Sequence, residues 1–166
     1  MNRKRKQRNG KKQPHSAEYY RNLGDLKQMT GLFQEAIAAY DKALEIKPND
    51  AEVYYNRGQA KSYLEQHEVA ISDYNKAIQL NPKDAEAHNN RGLARINLGR
   101  LQDGISDYDK AIELDPDVDA YYNRGRAKEM LGQLEEAIAD FKNAIRRNPQ
   151  DAEARRALNY LQAKLN

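Results

Sequence analysis

The chain has no cysteine and no tryptophan, and only two phenylalanines and five prolines in 166 residues. Without cysteine there is neither a disulfide framework nor a thiolate metal site. No run approaches the ~18 apolar residues of a membrane-spanning helix, and no apolar segment follows the basic N-terminus as a secretory signal requires. These absences favour a cytoplasmic setting. Hydrophobic residues make up 39% of the chain, which is thin for one large core but enough for stacked units that bury one face each on a neighbour. The three histidines, His15, His67 and His88, are too far apart to pair as ligands at i and i+4. Ser, Thr, Lys and Tyr are scattered without an adjacent base. No catalytic constellation, metal or cofactor is expected.

The few prolines are placed with regularity. Pro14, Pro48, Pro82, Pro116 and Pro149 lie 34, 34, 34 and 33 residues apart, and a fixed period in this range marks stacked repeats. Ser or Asp follows two residues later in Pro14-His15-Ser16, Pro48-Asn49-Asp50, Pro82-Lys83-Asp84 and Pro149-Gln150-Asp151, whereas Pro116-Asp117 lacks the middle residue. Proline ends one helix and Ser or Asp caps the next. An acid sits near each cap (Glu18, Glu52, Glu86, Asp119, Glu153), as the helix dipole favours. The shorter joint at Pro116 is expected to alter the angle there.

Within each period, Tyr20, Tyr54, His88 and Tyr121 precede Gly24, Gly58, Gly92 and Gly125 by four residues. Then come Ala36, Ala70, Gly104 and Ala137, followed by Tyr40, Tyr74, Tyr108 and Phe141, and by Ala43, Ala77, Ala111 and Ala144. Small residues let two helices approach, and aromatics at this spacing fill the adjacent space. Gly31, Gly99 and Gly132 suit left-handed helix ends between paired helices. Glu65 in that slot predicts a less regular turn in the second unit. Every glycine except Gly10 falls at a joint or crossing, so none forms a phosphate loop.

These residues resemble the tetratricopeptide repeat family. The family's order is aromatic, Leu-Gly, Ala, aromatic, Ala and Pro. The first unit matches it with Tyr20, Leu23-Gly24, Ala36, Tyr40, Ala43 and Pro48, and later units put Arg for Leu. The resemblance covers residues 16–149 and implies an all-α fold, a right-handed α-solenoid of antiparallel helix pairs with a concave groove. The expected organisation is a basic tail over 1–15, four repeats at 16–49, 50–83, 84–116 and 117–150, and a capping helix at 151–166. Leu158, Leu161 and Leu165 would cover the last repeat.

Two ladders run through the repeats. Arg57, Arg91 and Arg124 occur with Asp73, Asp107 and Asp140 sixteen residues later, while the first unit has Leu23 and Ala39 instead. The positions change together, which predicts the ion pairs Arg57–Asp73, Arg91–Asp107 and Arg124–Asp140. A partly buried cation needs such a partner. Lys27, Lys61, Arg95 and Lys128, one turn on, are expected to pack their stems while their heads reach water. The second ladder is Asn22, Asn56, Asn90 and Asn123. At 100° per residue it falls opposite the packed face, in a stripe with Gln59, Tyr63, Asn97 and Arg126, and with Arg21, Tyr55, Asn89 and Tyr122 on its edge. In the resembled family the first helices line the groove, so this stripe would face a ligand. Asn amides suit the donors and acceptors of an extended peptide; equally, they are tolerated wherever a helix faces water. The family's carboxylate clamp would fall on Arg21, Asp25, Asn56, Glu86 and Asn90, where two acids would repel a carboxylate. The stripe's acids (Glu18, Asp25, Glu52, Glu86, Asp119, Glu129) favour a neutral to basic partner segment.

The charge is uneven. Residues 1–13 hold seven of the 28 cations (Arg3, Lys4, Arg5, Lys6, Arg8, Lys11, Lys12) and none of the 25 acids, so 21 cations face 25 acids in the rest, a body of −4. Lacking apolar residues, the tail is expected to be disordered. It reads as a contact arm for nucleic acid, an acidic protein or an anionic surface, as a nuclear localisation signal, or as a solubilising tail. Three functions follow: an adaptor holding a protein or peptide in its groove, a nucleic-acid-associated factor acting through the tail, or a self-assembling homo-oligomer.

Overall fold

The computed structural model describes residues 15–116 and 119–165. Among them are nine helices: α1 (Ala17–Met29), α2 (Phe33–Ile46), α3 (Ala51–Tyr63), α4 (His67–Leu80), α5 (Ala85–Asn97), α6 (Leu101–Leu114), α7 (Ala120–Met130), α8 (Leu134–Arg147) and α9 (Ala152–Leu165). Consecutive helices pack as pairs (α1/α2, α3/α4, α5/α6, α7/α8), each pair rests on the next, and α9 closes on α8. The first helices of successive pairs (α1, α3, α5, α7) also touch one another, whereas the second helices make no comparable contact among the described residues. The stack therefore bends with its first helices inside, an all-α solenoid with a concave inner face.

The pairs close on the small residues. Each of Gly24, Gly58 and Gly125 lies against the ring of Tyr40, Tyr74 or Phe141, where an added Cβ would stand 2.4, 2.8 and 2.8 Å from a ring carbon. Those rings, with Tyr108, are at most 1% exposed, and Ala36, Ala70, Ala137, Ala77 and Ala111 fill the space around them at 0%. Ring burial of this kind contributes about 2–3 kcal/mol per side chain. At the C-terminal end Leu161 is fully buried against Phe141 and Ala137, with Leu158 half-buried beside it. Leu165, expected to join them, is exposed; it lies in the last turn of α9, and Ala154, which is fully buried, takes part in closing the stack instead.

Side chains cap the first helices. Ser16, Asp50, Asp84 and Asp151 accept from the backbone N–H of Tyr19 (3.1 Å), Val53 (3.4 Å), Ala87 (3.0 Å) and Ala154 (2.9 Å). The helix after Pro116 is shorter than the first helices of the other pairs. It begins at Ala120, is 11 residues long, and has Asp119 at its cap with no side-chain cap bond. The capping position at 117 and the tail lie outside the described residues.

The turn at Glu65 also corrects an expectation. It is as regular as its counterparts: Glu65 adopts φ 59° where Gly31, Gly99 and Gly132 have φ 75–77°. Its hydrogen bonds, Glu65 N–H to Ser62 C=O (2.9 Å) and Gln66 N–H to Lys61 C=O (3.0 Å), match those at Gly99 and Arg100. The fold imposes the left-handed turn, and the side chain carries the strain. Glu65→Gly should therefore stabilise the protein by about 1 kcal/mol, less the extra backbone entropy of glycine; urea denaturation measures it, and an unchanged midpoint would show the strain to be absent.

His88 stands where Tyr54 and Tyr121 carry the guanidinium groups of Arg57 and Arg124 over their rings, at 5.3 and 5.4 Å. It is 7% exposed, neither ring nitrogen has a hydrogen-bond partner, and Nδ1 lies 4.0 Å from Asp107. Burial, then the charge of Arg91, holds its pKa below the ordinary 6.5; the Pro82 carbonyl and Asp107 oppose this, and Lys110 adds to it. The folded state thus keeps the imidazole neutral while the unfolded chain protonates, so stability falls as pH drops through about 6.5. His88→Tyr should flatten this loss between pH 7 and about 5.5 in thermal melts.

Candidate binding face and the ionic seam

The arginine ladder lies in the joints between pairs. Arg57 places Nε and Nη2 on the two carboxylate oxygens of Asp73 at 2.9 and 2.6 Å. Arg91 meets Asp107 at 2.6 Å through Nη2, and Arg124 meets Asp140 at 2.5 Å. The same guanidinium groups also reach back to the second helix of the preceding pair: Arg57 to Asp41 (2.5 Å), Arg91 to the side-chain oxygen of Asn75 (2.7 Å) and Arg124 to Asp109 (2.6 Å). These partners across the joint did not follow from spacing alone. Burial opposes charge on Arg57 and Arg124, but the hydrogen bonds and charges of Asp73 with Asp41, and of Asp140 with Asp109, leave both pKa values raised.

The cations one turn further on do not place their heads in water. Lys61, Arg95 and Lys128 give each aspartate a second cation at 2.7, 2.8 and 2.9 Å, with side chains only 12–23% exposed. Asp73, Asp107 and Asp140 are 2–4% exposed, and a carboxylate so deeply buried needs more than one donor. The first unit, with Ala39 at this position, instead pairs Lys27 with Glu35 at 2.6 Å.

The inner face brings together much of the asparagine stripe and joins it by hydrogen bonds. Asn56 donates to Asp25 Oδ1 (3.0 Å) and Asn90 to the Tyr55 hydroxyl (3.0 Å). Asn123 donates towards Asn89 Oδ1 at 3.4 Å and the Asp119 carbonyl at 3.2 Å. Each asparagine thus reaches the first helix of the preceding pair. The side-chain oxygens of Asn56, Asn90 and Asn123 accept no hydrogen bond among the described residues. Asn22, on the first helix, is exposed.

Gln28 extends this network: its amide donates to Gln59 Oε1 (3.1 Å), and Gln59 donates to the Tyr55 hydroxyl (2.8 Å). The residue type at its position varies from unit to unit, so periodicity does not single it out. The Tyr40 hydroxyl donates to Asp25 at 2.8 Å, and Tyr74 shares a 3.2 Å hydrogen bond with Ser62. The buried rings thus present their hydroxyls to the inner face. Burial is the chief cause that raises the pKa of Tyr74 to about 12 and those of Tyr40 and Tyr55 further.

Two crevices open between successive first helices. One, of about 450 Å³, is lined by Asp25, Gln28, Met29, Phe33, Asn56 and Tyr63. The other, of about 220 Å³, has Gln59, Ser62, Tyr63, Asn90, Leu93 and Asn97 on its walls. The remaining stripe residues are elsewhere. Arg21 is held by Glu52 at 2.9 Å, and Arg126 by Glu129 at 2.6 Å. Asn89, expected on the groove edge, is 7% exposed and packed in the joint. Tyr122 lines a separate crevice against α9 with Arg126, Glu153 and Tyr160. Among the described residues no three His, Asp or Glu side chains are placed to hold a metal, and no helix is long and apolar enough to cross a membrane.

The ionic seam yields a test from the protein's own first unit. Asp107→Ala leaves Arg91 and Arg95 without their buried partner and should cost about 3 kcal/mol. The double change Arg91→Leu with Asp107→Ala restores the Leu23/Ala39 combination and should recover most of that loss in a urea double-mutant cycle. Additive losses would show that the pair contributes no coupling.

Comparison with known proteins agrees with this geometry. Family models described as "TPR repeat" match residues 30–62 and 63–99, and models described as "Tetratricopeptide repeat" match 91–152 and 122–165. No curated protein sequence matches significantly. Among solved structures, MamA superposes with a TM-score of 0.82 at 28% identity, over 89% of this chain and 81% of its own. The first TPR of Spaghetti bound to the HSP90 peptide SRMEEVD gives 0.69 at 30% identity, over 70% and 94%. The Arabidopsis OM64 TPR domain gives 0.67 at 35% identity, over 69% and 95%. With matches from residue 30 to residue 165 and the helix pairing these structures share, the chain belongs to the tetratricopeptide repeat family, whose fold is a protein-interaction scaffold.

Proposed function

We propose that the protein is a non-enzymatic adaptor that holds an extended segment of a partner protein against its inner face. Residues 16–150 act as four repeats, and 151–166 as the cap that closes the stack. The observation that carries this reading is the row of half-engaged amides. Asn56 and Asn90 each spend one N–H on a neighbouring helix, leave an oxygen and a second N–H without a partner among the described residues, and line the two crevices. The Asn123 oxygen accepts no hydrogen bond among the described residues. Such groups pair with peptide N–H and C=O without reading side chains. A related fold, the first TPR of Spaghetti, is solved with an HSP90 peptide. That peptide ends in acids, whereas Asp25 and Glu86 make this inner face unfavourable for a carboxylate. Glu86 has a raised pKa, through burial first and then the nearby Asp119, Asp84 and Asp115.

Affinity capture from native lysate tests this. The triple variant Asn56→Ala, Asn90→Ala, Asn123→Ala should lose about 3 kcal/mol of binding, roughly a hundredfold, at ~1 kcal/mol per amide. Capture that survives the triple change would place the partner on another surface.

The seven cations of residues 1–13 favour a second reading, in which the tail contacts nucleic acid. Binding to duplex DNA would then show a log–log salt slope of up to about −6 and vanish when residues 1–13 are deleted. Groove binding should persist in both conditions.

A further inference from the structure

The two crevices of the inner face differ in charge, and the difference specifies the partner. One turn beyond each asparagine the first helices carry Asp25, Gln59, Leu93 and Arg126 in succession. Asp25 is held in place by two neutral donors, the Tyr40 hydroxyl at 2.8 Å and the Asn56 amide at 3.0 Å. No Lys, Arg or His forms an ion pair with it among the described residues, although the neighbouring acid Glu52 is paired with Arg21. The carboxylate faces the 450 Å³ crevice, whose rim is a stack of Phe33 on Tyr63, 4.6 Å between centroids and 9° from parallel. Tyr63 is 67% exposed and Met29 85%. An ordered carboxylate without a counter-charge beside an exposed aromatic face suits a guanidinium, which forks onto the acid and lies over the ring. The second crevice has no carboxylate and no Lys or Arg in its lining; Leu93 and Ala94 give it an apolar wall, and His67, whose Nδ1 is buried without a partner, lines it as well.

We infer that the partner segment presents an arginine to the crevice between α1 and α3 and an aliphatic side chain to the crevice between α3 and α5. The inference rests on the inner-face reading above and names the chemistry that face selects. Packed helices lie about 8–10 Å apart. A polyproline-II backbone, rising ~3.1 Å per residue, returns a side chain to the same face every third residue. The two anchors are therefore about three residues apart.

The test uses the full-length protein and fluorescein-labelled nonapeptides in a Gly/Ser/Pro background, carrying Arg-x-x-Leu or Leu-x-x-Arg, with citrulline or Glu in place of Arg and Ser in place of Leu. Fluorescence anisotropy should show one Arg/Leu order binding about tenfold tighter than its citrulline counterpart, the expected scale for one charge-assisted, ring-stacked contact. Asp25→Asn should bring that ratio close to one while the Leu-over-Ser preference remains; Asn keeps an oxygen for the Tyr40 hydroxyl, and a thermal melt checks its folding. Equal binding of Arg and citrulline peptides, or an Arg preference that survives Asp25→Asn, overturns the inference. If that equal binding is lost in the triple asparagine variant, the inner-face reading stands without it. No binding of any peptide at millimolar concentration overturns both.

Discussion

Much of this structure depends on an aromatic ring lying directly on a glycine. At Gly24, Gly58 and Gly125 there is no room for a Cβ between the first helix and the ring from the second. The contact fixes how closely two helices approach, and its repetition gives each pair a similar geometry. It also has a functional consequence. A tyrosine ring anchored at the crossing carries its hydroxyl to the far side of the first helix, and for Tyr40 that hydroxyl meets Asp25 on the inner face. Core packing and the placement of a surface carboxylate are thus one arrangement.

Between pairs the chain uses charge where a simpler stack would use leucine. Each joint beyond the first unit buries an aspartate under two cations, one of which also reaches the preceding pair. Desolvation offsets much of the attraction in such groups, so their net contribution to stability is modest. Their geometric demand is strong: a slipped joint would strand a buried charge. The seam therefore sets how one pair docks on the next, which in turn sets the spacing of the asparagines along the inner face.

The helix pairs, the turns and the arginine–aspartate spacing were legible because each is stated several times in one chain. Departures from the repeat were harder to read. Glu65 suggested an irregular turn, but its flanking helices force the backbone into the glycine conformation. Lys61, Arg95 and Lys128 suggested solvent-exposed heads, but the aspartates draw them in. Asn89 shares its position beside the stripe with Arg21, Tyr55 and Tyr122, and it is the buried one of the four, the shortest side chain among them.

The sequence by itself determined the all-α class, the period of the pairs and the face on which Asn56, Asn90 and Asn123 lie, because these depend on local spacing and on side-chain size. Only the tertiary structure decided which groups on that face are already engaged. Asp25 keeps an uncompensated carboxylate while Glu52 and Asp73 do not, because partners more than thirty residues away, or on another helix, arrive by packing and not by periodicity.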